Sequence, residues 1–129
     1  MYSVEVDRSK RLLVISAAQH VTAEEVRQAA KEVREIVQNI APGFRVLTDF
    51  RSLDSMDSAA APHIADIMDA VACKQVGSVV RVVPDARKDI GLNILSQFHY
   101  DSKVPIATFE TLADALQSFA QGEESDSER

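Results

Sequence analysis

The sequence predicts a single α/β domain built on a mixed, mostly parallel sheet, with elements in the order ββαβαβαβα and helices packed on the sheet. Three observations predict it. Short apolar runs with strand spacing alternate with helical repeats, the pattern of parallel strands joined by right-handed crossovers. The first two runs are separated by a polar turn instead of a helix, which adds an antiparallel edge. A length of 129 residues with 46% hydrophobic composition suits one core.

The elements follow in chain order. "YSVEVD" alternates, with Tyr2, Val4 and Val6 on one face, and "DRSK" reads as the hairpin turn into the more uniformly apolar "RLLVISA". A helix then opens with a capping box. Thr22 and Glu25 are spaced so that each side chain satisfies the other's backbone N–H, and Val21 and Val26 form a staple across the start. Val26, Ala30, Val33, Val37 and Ile40 share one face, and Pro42-Gly43 closes the helix. "FRVLTDF" is a short strand, followed by an acid- and hydroxyl-rich loop and a helix carrying Ile64, Ile67, Met68 and Val71 on one side, ended by Gly77. "SVVRVV" is apolar on both faces, as expected for a strand covered by helices on two sides. "PDARKDIGLNILSQF" reads as a helix capped by Asp85, with Ile90, Ile94 and Phe98 along one side. "VPIATF" is a last strand, placed at an edge by Pro105, and Thr111 caps a final helix burying Leu112, Leu116 and Phe119. The domain is expected to span residues 1–120, with 121–129 an acidic, disordered tail.

Composition narrows the function classes. The net charge is −6, and the tail holds four of the 20 acids and one of the 14 bases. The remaining bases are scattered, so no stripe follows a phosphate backbone and nucleic acid is not an expected partner. No apolar run approaches the length of a membrane span, and "MYSVEVDRSK" lacks a signal segment, so a cytoplasmic protein is expected. Cys73 is the single cysteine, which excludes an internal disulfide or a cysteine-rich zinc site.

One stretch stands out. "LTDFRSLDSMDSAAAPHI", residues 47–64, gathers three acids and three serines before a helix. Asp57 can cap that helix, with Ser58 in its first turn, where the dipole favours an added phosphate. Pro62 conflicts with an unbroken helix from Asp57, so a kink or a separate first turn is expected. Asp49 at a strand end, then Asp57-Ser58 eight residues later, in this order of elements, resembles the STAS domains of sulfate transporters and anti-sigma-factor antagonists. "HVTAEEV" and "RVVPDARKDIGLNILSQFHY" are similar to the SpoIIAA-like branch. The resemblance implies a bacterial, non-enzymatic regulatory module binding a protein partner, an anti-sigma-type kinase among the partners implied, with Ser58 as phosphoacceptor. The partner surface would comprise Asp54, Ser55, Asp57, Ser58 and His63. A solvated loop with ordinary capping fits the same residues.

Enzyme readings are weaker. Ser58 and His63 are five positions apart, about 140° around a helix, and no nucleophile-turn motif is present. His20, His63 and His99 share no metal-ligand spacing, the glycines form no phosphate loop, and no cofactor is expected. A second site is suggested by Arg81, which interrupts an apolar strand and needs a partner. With Asp49, Asp89, Asn93, His99 and Tyr100 it could orient the anionic head of a small molecule or lipid, beside an apolar pocket lined by Phe98 and Met68; a structural ion pair satisfies the same arginine. The oligomeric state has no signature in the sequence.

Overall fold

The computed structural model describes residues 1–83 and 104–127. A five-stranded sheet runs in the spatial order β1-β2-β3-β4-β5. Strand β1 (Tyr2–Asp7) is antiparallel to β2 (Leu12–Val21), and β3 (Arg45–Met56), β4 (Ser78–Val82) and β5 (Ile106–Phe109) continue parallel from β2. Three α-helices are found among the described residues: α1 (Ala23–Val37), α2 (Ala61–Cys73) and α3 (Leu112–Ser127). This is the expected α/β architecture with its antiparallel edge. The helix expected over 85–98 lies outside the described residues.

Alternation along the strands sorts the core into two layers. Leu13, Ile15, Val46 and Val79 face α1 and α2, where they meet Val33, Val37 and Val71 around Phe44. Leu47, Val80 and Val82 point to the other face and meet Ala115 and Phe119 of α3. Phe44, Leu13, Val33, Val71 and Val82 are fully buried, each stabilising by about 1.5–3 kcal/mol. The two-sided apolar reading of β4 follows from this sandwiching.

Helix α1 carries its capping box as expected: Glu25 N–H donates to Thr22 Oγ1 at 3.1 Å and Thr22 N–H to Glu25 Oε1 at 3.1 Å. At α3, Asp114 N–H donates to Thr111 Oγ1 at 3.2 Å. One detail of α3 differs from expectation. Leu116, expected in the core, is 48% exposed, and Ala115 is buried instead, with Phe119 beside it and Leu112 packed against them.

The loops entering β3 and β4 lock together at two glycines. Gly77 N–H donates to Phe44 O at 2.7 Å, and Gly43 N–H donates to Gln75 O at 2.8 Å. Gly43 sits at φ +83°, and a Cβ on Gly77 would lie 2.6 Å from the Gly43 carbonyl oxygen. The neighbour is backbone, so relief requires the two loops to part. Gly77→Ala is therefore expected to destabilise the fold by about 1–3 kcal/mol, read as a lower urea midpoint with unchanged slope.

Candidate functional site

The acid- and hydroxyl-rich stretch is a strand, not the expected loop. β3 extends to Met56 and stays paired with β2 through Ala18↔Ser52, Gln19↔Leu53, His20↔Ser55 and Val21↔Met56. The pairing of β3 with β4 ends at Asp49↔Val82, so among the described strands β2 and β3 project as a two-stranded ribbon. Between Ser16↔Asp49 and Ala18↔Ser52, β3 advances one residue more than β2, and it does so again between Gln19↔Leu53 and His20↔Ser55. Each bulge inserts one residue. Strand spacing of two therefore becomes three, and Phe50, Leu53 and Met56 all turn inward onto Ala17, Val21, Ala60 and Ile64. That apolar footing keeps the ribbon on the body despite its charged outer face.

At the ribbon's end, α1 begins one residue after β2, so its first turn meets the end of β3. Asp57 N–H donates to Val21 O at 3.0 Å, extending the ladder by one bond. The Asp57 carboxylate does not cap the helix that follows it, as the sequence suggested. Its Oδ2 accepts the Ala23 N–H of α1 at 3.1 Å, and its Oδ1 lies 3.0 Å from His20 Nε2. His20 Nδ1 lies 2.7 Å from Ser55 Oγ. The orphan N–H groups at the start of α1 and their positive end-charge draw the carboxylate across the strands.

Beyond Asp57 the chain forms the separate first turn that Pro62 called for. Residues Ser58–Ala60 are a 3-10 turn, and α2 starts at Ala61 with Pro62 in its opening turn, where the missing N–H has no helical partner to lose. Ala60 is fully buried, which anchors the turn, whereas Ser58 and Ala59 are exposed. Asp54 and Ser55 are exposed and His63 is half-buried. The expected surface residues Asp54, Ser55, Asp57, Ser58 and His63 follow one another along the chain, from the end of β3 through the turn into the start of α2.

The second expected site is not assembled in the same way. Arg81 is 2% exposed and faces the α1–α2 layer with Thr48, its register partner. Asp49 is the residue after Thr48 on β3, and its carboxylate accepts from the Arg51 guanidinium at 2.8 and 2.9 Å. Asp89, Asn93, Phe98, His99 and Tyr100 lie outside the described residues. A cavity of about 70 Å³ lies beside Arg81, lined by Met68, Ile15, Val46, Phe50 and Ile67. Among the described residues no group of three or more histidine, cysteine, aspartate or glutamate side chains is placed to hold a metal. No helix among them is long and apolar enough to cross a membrane.

No protein-family profile matches the sequence, and no curated protein matches it. Its architecture does match solved structures. An uncharacterised DUF3478-family protein with a SpoIIAA-like fold, from Shewanella loihica, superposes with a TM-score of 0.69 at 19% identity, covering 90% of this chain and 91% of that one. An anti-sigma factor antagonist from Mycobacterium paratuberculosis gives 0.58 at 18% identity, over 92% and 93%. The Bacillus cell-fate determinant SpoIIAA in its phosphorylated form gives 0.61 at 15% identity, over 92% and 99%. The chain therefore has a STAS-like fold of the SpoIIAA type.

Paired carboxylates at the start of α1 and on β3 link stability to acid pH. Hydrogen bonds from Arg27 hold the Glu24 carboxyl down at about 2 against an ordinary 4.5, and the amino group of Met1 lowers that of Glu25. Arg51 lowers Asp49 in the same sense. Depressed folded-state values stabilise above the ordinary carboxylate range and lose that contribution as pH falls through the folded value. The melting temperature is expected to fall as pH drops from about 4.5 towards 2, and Glu24→Gln should flatten that dependence.

Proposed function

We propose that this chain is a regulatory protein-interaction module of the anti-sigma-factor-antagonist type, working through the segment from Asp54 to His63. The observation carrying this reading is the exposure of Ser58 on a turn anchored from below by Ala60 and bounded by Asp57. The partner is a protein, and Ser58 is the switch residue, modified by a partner kinase. A phosphoserine adds a charge of about −1.5 to −2. Next to Asp57 and near Asp54, that charge opposes any partner surface that fits the unmodified segment. A fold shared with anti-sigma factor antagonists, one of them a phosphorylated form, supports the reading. The role works by binding, in the cytoplasm.

The cavity beside Arg81 favours a second reading, a carrier of a small apolar molecule or lipid with its polar end near the arginine. Native mass spectrometry of the chain isolated from its own cells separates the two, since a partner chain, a phosphate and a retained small molecule differ in mass. Ser58→Asp is expected to lose the partner and Ser58→Ala to keep it; equal retention by both would remove the switch. Loss of a small-molecule mass in Arg81→Ala, with melting unchanged, would instead support the carrier.

A further inference from the structure

His20 and Ser55 are cross-strand partners in the β2–β3 pairing, so their side chains leave the same face of the ribbon. Asp57, two residues past Ser55, projects to that face as well. Three groups then stand in a chain: Ser55 Oγ 2.7 Å from His20 Nδ1, and His20 Nε2 3.0 Å from Asp57 Oδ1. The carboxylate can only accept, so it holds the imidazole proton on Nε2 and leaves the Nδ1 lone pair to accept the Ser55 O–H. Asp57 is itself fixed through Oδ2 by the Ala23 N–H and through its backbone by Val21 O.

A hydroxyl within hydrogen-bond reach of a base, itself oriented by a third group, is the arrangement that makes a serine nucleophilic. We propose that Ser55 is an activated nucleophile that accepts acyl groups from activated esters, with His20 as general base and Asp57 as the positioning residue. Ser55 Oγ bonds to the ester carbonyl carbon while its proton passes to His20 Nδ1. The tetrahedral adduct expels the alcohol oxygen, which takes that proton and leaves acyl-Ser55. Water then attacks the acyl carbon, giving a proton to Nδ1 that returns to Ser55 Oγ as the carboxylic acid departs. The His20 and Asp57 side chains are 53% and 42% exposed, so the site opens directly to solvent. An open site restricts the reaction to esters whose leaving group departs readily, aryl esters and thioesters, without selecting the acyl chain. This activity requires neither a docked partner nor modification of Ser58.

The test uses the full chain with a fluorophosphonate ester, which phosphonylates activated serines, and with p-nitrophenyl acetate. A single adduct mapping to Ser55 is expected. Ser55→Ala should abolish the adduct and lower nitrophenol release. His20→Gln, which keeps polar ends but no base, should slow labelling about a hundredfold. Asp57→Asn should slow it less, in protein whose melting confirms that α1 is intact. No adduct on folded protein, equal labelling of Ser58, an unchanged rate in His20→Gln, or equal nitrophenol release by wild type and Ser55→Ala would each overturn the assignment.

Discussion

The continued pairing of β2 with β3 beyond the end of the sheet is the constraint on which the rest of the molecule's surface chemistry depends. It carries His20, Ser55 and Asp57 from positions 35 and 37 residues apart in the chain to hydrogen-bonding distance. It also delivers the Asp57 carboxylate to the first turn of α1, where the backbone N–H groups need an acceptor. The ribbon stays in place because Phe50, Leu53 and Met56 bury its underside. Its polar top is therefore held by apolar contacts below, and the turn bearing Ser58 inherits its position from both.

The cavity beside Arg81 belongs to the same layer. Phe50 lines it and also belongs to the cluster under the ribbon, so the two candidate regions share a wall. A protein interior is close-packed, and a void of this size forgoes contacts that its lining side chains would otherwise make. Arg81 at its edge is nearly sealed from water, which places a permanent charge inside an apolar layer.

Much of the fold was legible because its signals are local. The capping box of α1, the hairpin turn and the alternation in β1 lie within a few residues of one another, and each appears as expected. The extension of β3 was not legible. "RSLDSM" is polar and poor in β-formers, and with Phe50 its apolar residues recur every third position, which is not the spacing of a strand. Only the partner strand shows why, since two bulges convert one period into the other. Asp57 misled for the same reason: its position before a helix pointed forward, whereas its acceptor role lies 34 residues back. A serine, a histidine and an aspartate scattered over residues 20–57 carry no motif. The burial of Arg81 was suggested by its place within an apolar run, whereas its pairing opposite Thr48 follows from register alone.

Gln19 sits at φ +59°, a left-handed conformation near the end of β2, beside the second of the two bulges. Such a backbone costs a non-glycine residue roughly 1–2 kcal/mol. The kink acts as a phase setter: it decides which side of the ribbon every later residue presents. Adding or removing a single residue there would send His20 to the buried side and Val21 to water, a change of parity that no side-chain replacement could undo. The spacing of this segment is thus under tighter constraint than its composition, and a comparison of related chains would meet that constraint as forbidden gaps, not as invariant letters.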